Sequence, residues 1–131
     1  MILVDTSVWI EVLRRRGSGA LDPLHGVEFE DIVTCLPVVQ EVLQGIDAEA
    51  PFRVAREAML ALPMVESPLT AGVFEDAIDL YRRARRAGLT VRSGVDCVIA
   101  ACAIRHDLEV LHRDRDFAGL ARVSPLRERQ P

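Results

Sequence analysis

The stretch Ile2-Leu3-Val4-Asp5-Thr6-Ser7 joins a short apolar run to three residues that favour helix N-caps. Apolar runs rich in β-branched residues are typical of buried strands, and the side chains of Asp, Thr and Ser accept hydrogen bonds from the first backbone N–H groups of a helix. The stretch therefore predicts a strand followed at once by a helix, which should run to about Arg14. The basic residues Arg14, Arg15 and Arg16, and then Gly17-Ser18-Gly19, mark the end of that helix.

Strand and helix patterns continue to alternate along the rest of the chain. Apolar runs predict strands at residues 31–36 and 109–112, and shorter extended segments at 64–66 and 89–91. Apolar periodicity and breaker residues predict helices at 37–45, 51–62, 70–87 and 94–106, and a short one after the 113–117 turn. We expect 70–87 to be the longest helix, 94–106 to lie inside, and about 124–131 to form a frayed tail.

This alternation, with short connections, predicts a parallel sheet covered by helices, which is an α/β fold. With no internal repeat and no linker-like segment, we expect residues 1–131 to form a single domain. Open parallel sheets carry their sites in the crevice beyond the carboxyl ends of the strands. The residues that follow the predicted strands are therefore the first place to look for chemistry.

Composition narrows the possible functions. The chain has 131 residues, of which 50% are hydrophobic and 27% are charged, so a disordered or low-complexity chain is excluded. All 16 basic residues are Arg, which excludes a P-loop lysine, a Schiff-base lysine and the lysine of phospho-acceptor receiver domains. The three Cys residues form no zinc or disulfide pattern, and no apolar run is long enough to span a membrane. We expect a soluble, cytoplasmic protein.

Five acidic residues are placed to reach the predicted crevice: Asp5, Glu41, Asp96, Asp114 and Asp116. Each also has a structural interpretation. Asp5 could be only a helix N-cap, and Glu41 could lie on a solvated helix face. Asp96 could complete a capping box with Ser93, although a carboxylate followed by Cys97-Val98-Ile99-Ala100-Ala101 is costly to bury without a partner. Asp114 and Asp116 could pair with Arg113 and Arg115.

Convergence of these acids would require a cation. Four carboxylates do not stay ionised together in one crevice unless positive charge neutralises them, and oxygen ligands favour Mg²⁺ or Mn²⁺. A four-carboxylate site would also account for the formal net charge of −4, so the acidic balance does not exclude a nucleic-acid partner. His25, His106 and His112 are scattered, which argues against zinc, and we expect them at the surface or at strand ends. Divalent ions in such a site support phosphodiester hydrolysis, which is nuclease chemistry.

Four blocks of sequence resemble one known family. They are Val4-Asp5-Thr6-Ser7-Val8-Trp9-Ile10, Pro37-Val38-Val39-Gln40-Glu41-Val42-Leu43-Gln44-Gly45, Asp96-Cys97-Val98-Ile99-Ala100-Ala101 and Leu111-His112-Arg113-Asp114-Arg115-Asp116-Phe117. Their order and spacing resemble those of the PIN-domain ribonucleases, and most closely the VapC toxins of bacterial VapBC toxin–antitoxin modules. Any one block alone would be weak support, but together they cover nearly the whole chain.

The resemblance implies a PIN-like α/β/α sandwich with a central parallel sheet of four or five strands. It also implies an Mg²⁺- or Mn²⁺-dependent endoribonuclease that leaves a 5′-phosphate and a 3′-hydroxyl. The implied partners are an RNA substrate, a cognate VapB-type antitoxin and a second copy of the chain in a homodimer. Larger toxin–antitoxin assemblies on promoter DNA, formed through the antitoxin, are implied as well.

The resemblance also assigns the site residue by residue. Asp5, Glu41 and Asp96 match the first three acidic positions, Asp114 matches the fourth, and Asp116 is a close supporting candidate. Asp5, Asp96 and Asp114 would hold the main ion, while Glu41 would help to hold a second ion or orient the attacking water. Thr6 or Ser7 matches the hydroxyl position beside the first acid. RNA contacts could come from Arg113 and Arg115 and from the cluster between Arg82 and Arg86, which could instead be a solvated helix end.

Other interpretations remain open at this point. The chain could be a housekeeping RNA-processing nuclease of the same fold without an antitoxin, or a receiver-like or scaffold α/β domain whose acids bind only a structural ion. A haloacid-dehalogenase-like phosphatase needs a second Asp two residues after the first, and Ser7 stands there instead.

Overall fold

The computed structural model describes residues 1–15 and 17–131 and contains a four-stranded parallel sheet. The strands are β1 (Ile2–Val4), β2 (Ile32–Val33), β3 (Glu109–Leu111) and β4 (Arg127–Arg129), in the spatial order β2-β1-β3-β4. Ile2 pairs with both Ile32 and Glu109, so β1 lies at the centre of the sheet. All three residues of β1 are buried, as expected for a parallel sheet that is covered on both faces.

Six α-helices flank the sheet in the described part of the chain. They are α1 (Thr6–Arg14), α2 (Leu36–Gln44), α3 (Glu49–Ala61), α4 (Ala71–Arg86), α5 (Gly94–Arg105) and α6 (Arg115–Ala121). Short 3-10 turns occupy Gly17–Gly19, Asp22–Leu24 and Phe29–Asp31. None of the described helices is long and apolar enough to cross a membrane. The predicted α/β class and the alternation of strands and helices are confirmed.

Helices α1 and α5 bear out the local patterns on which they were predicted. The Asp5 side chain accepts a hydrogen bond from the backbone N–H of Ser7, so Asp5 is the N-cap of α1. Arg14 is the last residue of this helix, while Arg16 lies outside the described residues. Helix α5 is buried on most sides because it packs against α4, α6, α2 and β3. Helix α4, with 16 residues, is the longest, as predicted.

Three of the predicted extended segments are much shorter than the sequence indicated or are absent. The strand at 31–36 contains only Ile32–Val33, because Asp31 closes a 3-10 turn and Leu36 already belongs to α2. At 64–66, only Met64 takes part, in a single parallel bridge to Thr34. Residues 89–91 form no strand; the backbone N–H of Leu89 instead donates to the carbonyl of Ala84 at the end of α4.

The prediction of a frayed tail at about 124–131 is wrong. Residues Arg127–Arg129 form β4, which pairs in parallel with β3, and Leu126 before it is buried. The guanidinium of Arg129 also contacts the Glu109 carboxylate at 2.9 Å across the two strands. Alternating charged residues are typical of an exposed edge strand, and nothing in their local pattern separates them from a loose end.

Candidate active site

The five predicted acids lie at one edge of the fold. Asp5 directly follows β1, and Asp114 follows β3 and caps α6, so both stand at the carboxyl ends of the central strands. Glu41 comes from α2, Asp96 from the first turn of α5, and Asp116 from α6. In a parallel sheet the carboxyl ends of neighbouring strands share one edge, which explains why residues distant in sequence meet there.

Three of these acids form the tightest group. Asp96, Asp114 and Asp116 each offer a carboxylate oxygen, and these oxygens lie within 4.8 Å of one another. Asp5 and Glu41 border the group closely enough for the Asp114 charge to raise the pKa of both. All five carboxyl groups therefore belong to one electrostatic cluster, which we call the acid cluster.

Burial and mutual repulsion make the charged form of these groups costly. Burial is the main cause that raises the pKa of Asp96 to about 9, and the neighbouring carboxyl groups of Asp114 and Asp116 raise it further. Burial likewise raises the pKa values of Asp5 and Glu41, and neighbouring carboxylates raise them further. Without a cation, Asp96 keeps a proton that a free carboxyl group would lose at neutral pH.

Several oxygens of the acid cluster are buried without a hydrogen-bond donor. They are Oδ1 of Asp5, Oδ2 of Asp96 and Oδ1 of Asp116. Buried carboxylate oxygens are normally hydrogen-bonded, and a bound divalent cation is the usual partner when several of them face one another. A purely carboxylate donor set is typical of sites for hard divalent cations. The chemistry of these residues thus fits a hard divalent metal ion.

The two hydroxyl candidates beside Asp5 have different partners. Ser7 Oγ donates to Asp5 Oδ2 at 2.6 Å and accepts from the backbone N–H of Arg113 at 2.9 Å. Thr6 Oγ1 donates to Glu41 Oε1 at 2.9 Å. Ser7 thus orients the first acid and ties α1 to the segment after β3, while Thr6 orients the acid of α2.

Replacement of Ser7 by Ala should destabilise the protein without metal. Loss of such a hydrogen bond costs about 1–3 kcal/mol, because Asp5 Oδ2 keeps only the Ser7 backbone N–H as a donor and the Arg113 backbone N–H loses its acceptor. We therefore expect Ser7→Ala to lower the free energy of unfolding by about that amount in urea titrations with a chelator at pH 7. Ser18→Ala, in an exposed 3-10 turn, should change it little. Equal midpoints for both variants would contradict the role of Ser7.

Asp114 and Asp116 have different hydrogen-bond partners. Asp114 Oδ1 accepts the backbone N–H of Asp116, as an N-cap does. Asp116 Oδ2 accepts the backbone N–H groups of Arg92 and Ser93, at 3.0 and 3.2 Å. The Ser93 side chain makes no cap hydrogen bond, so the possible capping box with Asp96 is not formed. Asp116 instead connects the start of α5 to α6, and its other oxygen, Oδ1, is buried without a hydrogen-bond partner.

The arginines that were predicted to contact RNA lie in two separate places. Arg115 lines an open depression of about 520 Å³ over Asp114 and Asp116, together with Arg92, Arg113 and Gln130. The Arg113 guanidinium is turned towards the Glu11 carboxylate, which it contacts at 2.9 Å. Arg82 and Arg86 instead line another depression with Arg85, on α4, and do not line the one over the acids.

The sequence interpretation missed Arg92 and Gln130. Arg92 lies before α5, where its backbone N–H donates to Asp116, and Gln130 directly follows β4. Both reach the depression through contacts between distant segments, so no local pattern could have indicated them. His112 was placed correctly at a strand end, but it is fully buried and not at the surface.

The fold and the acid cluster together define a class of protein. A family model described as the PIN domain matches residues 2–123. The chain therefore belongs to the PIN-domain family.

The similar proteins are more specific. The chain is 40% identical over 129 residues to ribonuclease VapC11 of Mycobacterium tuberculosis, with 96% of each chain covered. Among solved structures, VapBC2 of Rickettsia felis bound to a promoter DNA fragment superposes with a TM-score of 0.76 at 15% identity, covering 100% of this chain and 99% of that one. VapC20 of M. tuberculosis, a toxin that cleaves the sarcin-ricin loop, gives 0.71 at 20% identity, covering 97% and 99%. At these identities, the structural likeness supports the fold.

Proposed function

We propose that the chain is a divalent-metal-dependent endoribonuclease that acts as the toxin of a toxin–antitoxin pair. The observation that carries the proposal is the set of buried carboxylate oxygens without donors on Asp5, Asp96 and Asp116. Such a set fits a bound cation, and the relative that shares 40% of its sequence over most of both chains is named a ribonuclease. Hydrolysis of RNA phosphodiester bonds would inhibit translation and growth.

Each acid has a role in this proposal. Asp5, Asp96 and Asp114 would hold the main Mg²⁺ or Mn²⁺ ion, with Asp116 beside them. A bound ion supplies Lewis-acid stabilisation of the negative charge that develops on the scissile phosphate. Glu41, which Thr6 orients through a 2.9 Å hydrogen bond, would help to hold a second ion or orient the attacking water. The products would be a 5′-phosphate and a 3′-hydroxyl, as the resemblance to PIN-domain ribonucleases implies.

The arginines at the rim of the depression would bind the RNA backbone. Arg92 and Arg115 are exposed and line the depression directly over Asp114 and Asp116. Arg113 can contribute only when RNA phosphate competes with Glu11 for its guanidinium. Arg82 and Arg86 would contact the strand farther from the scissile bond. Guanidinium groups suit this task because their donors match phosphate oxygens in pairs.

Loss of Arg92 and Arg115 at the rim of the depression should weaken RNA binding. It should also make the binding less dependent on salt. With the inactive Asp96→Asn background, we expect Arg92→Ala with Arg115→Ala to weaken binding of a single-stranded RNA about tenfold. The slope of log Kd against log salt should fall by about 0.7 for each lost phosphate contact. Fluorescence anisotropy at several salt concentrations measures both. Arg82→Ala with Arg86→Ala should have a smaller effect, and Arg53→Ala, on α3, should have none. An unchanged slope in the Arg92 and Arg115 double variant would place the RNA elsewhere.

The proposed partners are a cognate VapB-type antitoxin, a second copy of the chain and RNA, and we place the activity in the cytoplasm. By analogy with VapBC2 of R. felis, which was solved with DNA from its promoter, the pair would assemble on promoter DNA through the antitoxin. A small neighbouring reading frame whose product restores growth when co-expressed would support this proposal. Growth that no neighbouring product restores would favour a housekeeping nuclease instead.

The decisive experiment maps new 5′-phosphate RNA ends across the transcriptome after brief expression. Ends that arise with the wild type and not with Asp96→Asn would establish the reaction and identify the RNA that is cut. If neither protein produces new ends, including on RNA of the native organism, the acid cluster is a metal site without nuclease activity.

A further inference from the structure

A buried histidine lies between the acid cluster and the edge strand. His112 follows β3 and is fully buried, and both of its ring nitrogens have partners. Nδ1 accepts the backbone N–H of Asp114 at 3.1 Å. The other nitrogen, Nε2, contacts Oε2 of Glu128 on β4. Because a backbone N–H can only donate, Nδ1 carries no proton, and Nε2 is the nitrogen that donates to Glu128.

The surroundings hold the imidazole in this orientation. The backbone N–H of His112 donates to the carbonyl of Arg129 at 3.0 Å, which extends the pairing of β3 and β4. The Phe117 ring of α6 packs against the imidazole with ring centroids 5.1 Å apart. A continuous path of contacts thus runs from Glu128 through His112 to the backbone of Asp114. Glu128 lies beyond residues 2–123, the part of the chain that the family model matches.

We propose that Glu128 is a positioning residue for the metal site, acting through His112 on Asp114. This inference rests on the proposed function, because it concerns how the same site is held ready for its ion. The Glu128 carboxylate selects the tautomer with the proton on Nε2. That tautomer leaves Nδ1 free to accept the Asp114 N–H, which fixes the backbone from which the Asp114 carboxylate projects.

Removal of the Glu128 acceptor has a defined physical consequence. In Glu128→Ala, the Nε2–H of a fully buried ring loses its partner, which favours moving the proton to Nδ1 or turning the ring. A proton on Nδ1 would point at the Asp114 N–H, so the two donors would repel each other. The segment that carries Asp114 and Asp116 would then shift from the geometry that suits the ion. Gln at position 128 keeps an oxygen acceptor and should preserve the path.

The test measures Mn²⁺ binding by calorimetry on the wild type and three variants, each checked for folding by its melting temperature with a chelator. We expect Glu128→Ala to weaken Mn²⁺ binding by about tenfold to a hundredfold, the usual effect of removing an outer partner of a ligand. Glu128→Gln should bind Mn²⁺ within about threefold of the wild type, because the retained acceptor preserves this path. Glu109→Ala removes the ion pair with Arg129 between the same two strands without touching His112. It should lower the melting temperature and leave the Mn²⁺ Kd unchanged.

Four results would overturn the proposal. If Glu128→Ala binds Mn²⁺ like the wild type, or if Glu109→Ala weakens binding equally, Glu128 is only part of a stabilising strand pair. If Glu128→Gln is as weak as Glu128→Ala, the negative charge matters and the acceptor does not. A wild type that binds no Mn²⁺ would overturn the metal site itself, and the proposed function with it, so the two failures are distinguishable.

Discussion

Asp96→Asn is expected to abolish RNA cleavage and, without metal, to raise the melting temperature. Asp96 carries a buried oxygen without a donor, and its pKa is raised to about 9, mainly by burial. Ionised Asp96 would bind the metal ion strongly and would be costly when no ion is present. Asn has nearly the same shape, is neutral without taking up a proton, and introduces an N–H group that can donate to Asp116.

The two effects of this substitution have different sizes. Transition-state stabilisation by a metal ion contributes several kcal/mol, and 1.36 kcal/mol corresponds to a factor of ten in rate. We therefore expect cleavage to fall by about three orders of magnitude or more. The melting temperature with a chelator at pH 7.5 should rise by about 3–5 °C for each kcal/mol gained in the free energy of unfolding.

Labelled RNA and thermal unfolding on the same preparations measure both effects. Asp47→Asn, which changes an exposed carboxylate between α2 and α3, serves as the control and should alter neither. Asp96→Asn protein that cleaves like the wild type would refute a catalytic role for Asp96. A lower melting temperature without metal would contradict the repulsion inferred for the acid cluster.

The second large effect is a loss of stability with rising pH that a divalent ion reverses. Asp5, Glu41 and Asp96 have pKa values above their ordinary ones in the folded chain. The folded state thus binds more protons than the unfolded state, and the free energy of unfolding falls as pH rises. The fall begins above the ordinary carboxyl range and continues to about pH 9, the pKa of Asp96. Glu11 and Glu66, whose pKa values are lowered by Arg113 and Arg105, act with the opposite sign at more acidic pH.

Mn²⁺ or Mg²⁺ binds the ionised carboxylates and should restore the stability that deprotonation removes. At about a hundred times its Kd, an ion that binds only the folded state adds about 2.7 kcal/mol. Between pH 5 and 8.5, we expect the melting temperature with a chelator to fall and the increase caused by Mn²⁺ to grow. Asp5→Asn should show a smaller increase than the wild type. An equal response of both proteins to Mn²⁺ would place the metal site elsewhere. If the melting temperature with a chelator rises with pH above pH 5, the pKa shifts are contradicted.

The sequence predicted those parts of the fold and site that depend on neighbouring residues. Ile2-Leu3-Val4 is buried on both faces, and Asp5 caps the next helix, because the run of apolar residues and the cap lie side by side in the chain. The nearly all-apolar surface of α5 correctly indicated that it lies inside. The positions of the acids after strands and in early helical turns were enough to predict that they meet at one edge.

Features that depend on pairing between segments distant in sequence could not be predicted from the sequence. Arg127–Arg129 forms a strand only because β3 offers it an edge, and its charged residues look like those of a loose tail. The choice between Thr6 and Ser7 depended on where α2 and the segment after β3 lie in space. The same holds for the Glu128 contact with His112 and for the backbone donors to Asp116, since neither leaves a local pattern.

The sheet order also decides when during folding the acid cluster can exist. Strand β1 makes its central pairing with β3, so Ile2 must find Glu109 across more than a hundred intervening residues. Closing so long a loop is slow compared with forming the helices between them, because chain entropy opposes it until the contacts are made. Asp5 and Asp114 therefore remain far apart until β1 and β3 pair. A chain without that pairing carries neither the repulsion nor the metal affinity of the finished site, so cleavage activity would require the pairing.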